Sequence, residues 1–308
     1  MRTTTLDGTT LEKLISAAIA APSCHARQPW RYRLDPDTAT LQMRAVGEER
    51  APGGATDHAR RALHVSIGAA LFNLRVAVTH FGWEPQVRLL PFPGDPGLYA
   101  SVRLTAPSVR AHEAYRSDLY GALWRRRDYV AACPVRRPPG AVVLELVDAA
   151  HTEGAALNLP HAAETRRLLR LTEDADLRRA ADGGPDRPPS GSVGSVSWTA
   201  GAGSGGAPRP LPGDDRFPLV AVLTTPRDGP ADWLRAGQAL QHVLLSATAH
   251  QVRAWLLHQA LDFPDLRRAL RSAESGPGHV QMLVRLGYGL PRPGTAARDP
   301  GRIVSEVN

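Results

Sequence analysis

The residues whose types and spacing best suit chemistry lie in Ala17 to Arg33, AAIAAPSCHARQPWRYR. A short apolar helix runs into Pro22-Ser23, crosses a polar loop, and re-emerges as a strand at Gln28-Pro29-Trp30. A turn that offers backbone and small polar groups beside an aromatic is suited to hold a flat heterocycle. Other chemistries find less support. Cys24 has His25 beside it but no histidine–acid pair to activate it, so the thiol reads as incidental. The 11 histidines show no HExxH pattern and no close pairing with carboxylates, so no metal site is expected. Gly201, Gly203 and Gly206 spell GxGxxG, yet Ala207-Pro208-Arg209-Pro210 follows where a dinucleotide fingerprint would open a helix. Gly191 to Ser195 lacks the GxSxG order of a hydrolase elbow.

The elements that must position these residues follow from periodicity. A helix is expected from a cap at Thr9 or Thr10 through about Ala20, then a hairpin of Tyr32–Leu34 with Leu41–Arg44. A helix from Asp57 to Phe81 is apolar on most faces, which places it at the centre of a fold. Strands at Gln86–Leu90 and Tyr99–Leu104 come next, then helices over His112–Arg125, Pro139–Thr152 and His161–Ala180. Residues 182–215 turn abruptly to Gly, Pro and Ser, the composition of a lid, binding loop or linker. Beyond them are expected a strand at Phe217–Thr224, a long helix at Ala231–His250, a run at Val252–Leu257, a helix near Asp265–Ala273 and a strand at His279–Leu286.

The second half repeats the first. Ile67-Gly68-Ala69-Ala70-Leu71 matches Ala236-Gly237-Gln238-Ala239-Leu240, and Val102-Arg103-Leu104 matches Val284-Arg285-Leu286. The reading is an α+β fold of two fused half-units, 1–110 and 111–308, each with a central helix and antiparallel or mixed sheet. A pseudo-symmetric pair of this kind has a seam, and seams are natural clefts for a cofactor.

Composition limits the partners. Of 37 basic residues only Lys13 is a lysine, and the arginines are dispersed among acidic residues, so a net charge of +7 favours a phosphate-bearing ligand without identifying nucleic acid. Cys24 and Cys133 form no disulfide framework, which sets the expectation of a reducing cytoplasm. Asp7, Glu12 and Lys13 interrupt any signal-peptide pattern, and Asn73 and Arg75 break the longest apolar run, so neither export nor a membrane partner is expected.

These residues resemble the flavin-dependent nitroreductase superfamily, and within it the tandem, Acg-like FMN-binding branch. The match is carried by Ala21-Pro22-Ser23 with Gln28-Pro29-Trp30, Asp57-His58-Ala59-Arg60-Arg61 leading into Gly68-Ala69-Ala70-Leu71, and Asn73-Leu74. It continues through Thr225 and Asp228 ahead of Trp233-Leu234-Arg235-Ala236-Gly237, then Arg285-Leu286-Gly287 and Arg298-Asp299-Pro300. The resemblance implies an FMN site at the seam of the two halves, with NADPH or NADH as electron donor and a small conjugated or peptide-like substrate. A chain that contains both halves makes an obligate homodimer unnecessary, which is compatible with a monomer built as an internal pseudo-dimer. Ser23, the backbone at Cys24 and His25, and Gln28 suit the polar edge of the isoalloxazine. Ala254-Trp255 falls where relatives place backbone against the flavin's reactive side. Trp30 reads as a core residue. Arg127 and Arg298 are the implied phosphate pair, since a guanidinium binds phosphate oxygens two at a time.

Some positions depart from the family pattern. Ala26 stands where asparagine is usual, Gln251 where a glycine ends the second central helix, and Asp299 where a second C-terminal arginine is usual. The expected function is nitroreductase-type oxidoreduction. The alternatives are FMN storage beneath a lid formed by 182–215, and a cofactor-free interaction protein.

Overall fold

The computed structural model describes residues 6–23, 28, 30–46, 57–106, 118–125, 136–181, 219–271 and 278–288. The first half begins with α1 (Gly8–Ile19), the hairpin β1 (Trp30–Asp35) and β2 (Thr40–Ala45), α2 (Asp57–His80), β3 (Glu84–Leu89) and β4 (Leu98–Thr105). A helix α3 (Asp118–Arg125) follows. The second half contains α4 (Gly140–Thr152), β5 (Ala156–Asn158), α5 (Ala162–Ala181), β6 (Leu219–Thr225), α6 (Pro230–Ala249) and β7 (Arg253–Leu257). A 3-10 turn (Gln259–Asp262), α7 (Pro264–Ala269) and β8 (His279–Gly287) complete it.

The fold is α+β, and every described strand pair is antiparallel. The two four-stranded sheets share one connection pattern, with orders β1-β2-β4-β3 and β5-β6-β8-β7. α2 corresponds to α6 in this pattern, and α1 to α4. The second half carries extra chain at two places, α5 with residues 182–218 between β5 and β6, and the 3-10 turn with α7 between β7 and β8.

α2 and α6 cross at the centre, each with alanine and glycine on the face it offers the other. A Cβ on Gly68 would lie 2.2 Å from the Leu234 carbonyl oxygen, and a Cβ on Gly237 would lie 2.1 Å from that of Val65. Only glycine permits that approach, and the contact is reciprocal. His64 and Trp233, one residue before Val65 and Leu234, also meet edge to face, with ring centroids 5.4 Å apart. Burial follows the crossing. Ala62 and Val65 of α2 pack in the second core, whereas Leu234 and Leu245 of α6 pack in the first. α3 lies on the first core too, through Leu119, Ala122 and Leu123. α2 is the one described helix long and apolar enough to cross a membrane, and protein buries it on nearly every face.

Local chemistry sets the boundaries. α1 is capped by Asp7, whose Oδ1 accepts from the Thr10 amide at 2.7 Å, so the cap lies before the expected threonines. α2 ends at Gly82 with φ of +91°, where the Trp83 amide reaches the Val78 carbonyl and the Gly82 amide that of Thr79. α6 closes with the same pair of bonds, Val252 to Ala247 and Gln251 to Thr248, but Gln251 adopts φ of +58° in the glycine's place.

Candidate functional site

α1 ends in a run of small residues, and its last carbonyls need partners that the helix cannot supply. The Ala17 carbonyl accepts from Asn73 Nδ2 at 2.9 Å, and Ile19 accepts from Gln28 Nε2 at 2.8 Å. Gln28 sits at φ of +43°, and its own carbonyl accepts from the Trp30 amide at 2.7 Å. Gln28 therefore ties the loop back onto α1. Ser23 is fully buried at the mouth of that loop. Trp30 packs in the first core, and its Nε1 donates to the Tyr32 hydroxyl at 3.2 Å. Burial raises the Tyr32 hydroxyl above its ordinary pKa and keeps it neutral.

β7 follows α6 in the second half, and its Ala254 and Trp255 pack against the second core. Leu245 and Ala249 at the end of α6 share the first core with Ala20, Ala21 and Trp30, and β7 begins four residues after Ala249. Ala254 and Trp255 are half-buried, opposite Leu286 and Arg285 of β8. Among the described residues β7 is the outer strand of its sheet, and one row of its backbone amides and carbonyls faces no described strand. At the same end of the sheet, Arg253 pairs with Gly287, and Arg136 bridges Tyr288 with its guanidinium 4.9 Å from the ring centroid.

The structure thus places Ser23 and Gln28 on a first-half loop and Ala254 and Trp255 on a second-half edge strand. Cys24, His25, Arg127 and Arg298 lie outside the described residues, as do Ala26, Asp299 and 182–215. Sequence reasoning overlooked Asn73 and Gln241 as braces of this region. Gln241 Nε2 donates to Asn73 Oδ1 at 2.6 Å, and both residues are buried. The available signal was an amide at each position of an otherwise apolar helix.

Two further polar clusters fix the frame. Arg75 of α2 pairs with Glu153 at the end of α4 and donates to Gln238 Oε1 of α6 at 2.8 Å, while His242 Nδ1 lies 3.5 Å from Glu153. Burial alone would raise the Glu153 carboxyl, but the neighbouring His242 ring and the charge of Arg75 hold it below its usual value. Asp228, ahead of α6, accepts from Trp233 Nε1 at 2.6 Å, from Arg267 at 2.6 Å and 2.8 Å, and from Gln281 Nε2 at 3.1 Å. Burial opposes its ionisation, and these three donors together keep its pKa lowered. Trp233 meets His64, whose own ring is held edge-on to Tyr99 with centroids 4.8 Å apart. Among the described residues no group of His, Cys, Asp and Glu is arranged to hold a metal ion.

No protein-family model matches the chain. A Mycobacterium tuberculosis protein that bears the provisional name NAD(P)H nitroreductase is 30% identical over 322 residues, covering 97% of this chain and 92% of that one. Acg of the same organism, with the same provisional name, is 27% identical over 323 residues, covering 96% and 94%. Among solved structures, an FMN-bound nitroreductase from Bacteroides fragilis aligns over 60% of this chain and 97% of its own, at 15% identity and TM-score 0.36. An FMN-dependent nitroreductase from Mycobacterium smegmatis in complex with NADPH aligns over 59% and 100%, at 19% identity and TM-score 0.34. Likeness that partial adds no weight to the sequence relatives. Similarity that runs over 97% of the chain at 30% identity is decisive, and the chain belongs to the nitroreductase superfamily.

Proposed function

We propose that the chain is an FMN-dependent oxidoreductase that takes electrons from NADPH or NADH and passes them to a small conjugated or peptide-like substrate. The flavin lies at the seam of two fused nitroreductase-like halves, 1–110 and 111–308, so a single chain suffices. One observation carries the reading. Ala20, Ala21 and Trp30, on either side of the polar loop, share the first core with Leu245 and Ala249 at the end of α6, the second-half helix that leads into β7.

The donor set fits FMN. An isoalloxazine needs donors at its carbonyls and an acceptor at its ring N–H, and its phosphate needs cations. Ser23 and the loop backbone through Cys24, His25 and Gln28 would serve the polar edge of the ring, and the outer edge of β7 at Ala254-Trp255 would lie along its reactive side. Arg127 and Arg298 would take the phosphate. The described flanks of their segments, Arg136 and Tyr288, are bridged to each other at the end of β8, where Arg253 adds positive charge. Bound flavin supplies hydride exchange at N5, which asks of the protein position, polarity and exclusion of water rather than an acid or base. Gln28 acts as a brace, since its amide nitrogen is engaged by α1.

The test is purification with added FMN, a visible spectrum, then anaerobic addition of NADPH or NADH. Retained flavin that bleaches with a nicotinamide supports the oxidoreductase. Flavin that bleaches only with dithionite replaces it with FMN storage, and no uptake at all leaves a cofactor-free protein.

A further inference from the structure

We propose that Gln241, a residue of the second half, is a positioning residue for the flavin loop of the first half. This rests on the flavin assignment above, and it names how one half sets the geometry of the other. The relay has two steps. Gln241 Nε2 donates to Asn73 Oδ1 at 2.6 Å, and Asn73 Nδ2 donates to the Ala17 carbonyl in the last turn of α1 at 2.9 Å. Asn73 is fully buried and Gln241 is 1% exposed, so water cannot replace either partner.

The relay is directional. An Asn carboxamide has one donor end and one acceptor end, and turning it over would set NH2 against the NH2 of Gln241 and C=O against the C=O of Ala17. The Ala17 carbonyl, which can only accept, sets the Asn73 NH2 toward α1, and Gln241 completes the relay by donating to the Asn73 oxygen that this orientation turns to the second half. Two residues further along, Gln28 grips the Ile19 carbonyl from the loop side at 2.8 Å. The final turn is held from within by the second half and from without by the loop, and Ala21-Pro22-Ser23 departs from that turn. The site that follows Asn73 in the repeat is occupied otherwise. His242, which stands in α6 where Asn73 stands in α2, faces Glu153 at the end of α4, and Glu153 pairs with Arg75. The seam braces a polar loop on one side and closes on an ion pair on the other.

The experiment compares Gln241→Leu and Asn73→Asp with Glu153→Gln, by FMN titration of flavin fluorescence, the visible flavin band, and hydrogen exchange in the flavin-free protein. Loss of one buried directional bond should weaken FMN binding about tenfold in Gln241→Leu and in Asn73→Asp. Both should shift the flavin band and speed exchange across the last turn of α1 and Ala20–Ser23. Glu153→Gln should leave FMN affinity within about twofold, because its cluster braces the other side of the seam. Unchanged affinity and exchange in Gln241→Leu would overturn the relay, and so would an equal loss of affinity in Glu153→Gln. If the unaltered protein takes up no FMN, the functional assignment fails on that result alone. The exchange of Ala20–Ser23 in Gln241→Leu then decides the relay.

Discussion

The connection between α1 and β1 and the connection between α4 and β5 occupy matching places in the two halves, yet one runs over 20–29 and the other over 153–155. The long one leaves a buried Ser23 and the Gln28 brace beside a helix end. The short one turns at Gly154, with φ of +78°, and directs Glu153 inward to Arg75 and His242. At the helix crossing the two halves meet through the same glycine contact. Connection length therefore separates a helix end beside polar loop groups from one sealed by an ion pair. Glycine placement differs in the same way: the residue that ends α2 is Gly82, and its counterpart at the end of α6 is Gln251.

The strongest way to break the comparison is at the crossing itself. Gly68→Val puts side-chain atoms where a Leu234 carbonyl already sits, and Gly237→Val does the same to Val65. Each should cost more than about 3 kcal/mol in urea unfolding, since backbone rather than a flexible side chain must move. Equal losses would match the reciprocal contact, and a tolerated valine at either position would contradict it. Next in size is His64, which meets Trp233 across the crossing. Burial pushes its pKa down from 6.5 to about 4. The unfolded chain therefore takes the proton first, so stability is full above about pH 6.5 and falls progressively toward pH 4. The loss should reach about 3 kcal/mol, and His64→Phe should flatten that part of the pH profile. Smallest is Gln251→Gly, expected to stabilise by about 1 kcal/mol by relieving a left-handed residue, with Gly82→Gln destabilising by a similar amount. Thermal unfolding of both checks whether the two helix ends are interchangeable.

Most of this architecture was legible from the chain. α2 was recognisable because its apolar residues recur on most faces, and the match around Gly68 and Gly237 marked α6 as its repeat; that the two helices cross at those glycines is seen only in the structure. β5 was missed because three residues are too few to show alternation. The cap at Asp7 was missed because Thr9 and Thr10 also have N-cap chemistry, and the stronger acceptor lay just outside them. In the candidate site, Ser23 and Gln28 stood out by residue type and by the family resemblance. The Asn73–Gln241 relay did not, since each amide gains its meaning from a partner in the other half. Sequence periodicity says that a helix is buried, but not which core receives each face, as Leu245 in the first core and Val65 in the second illustrate.

The most direct test is an FMN titration of the purified chain, followed by anaerobic NADPH. The account expects one equivalent of FMN per chain, with an altered flavin spectrum that bleaches on adding the nicotinamide. Two equivalents would show that the α4–β5 side is open as well, and no uptake would remove the flavin site altogether.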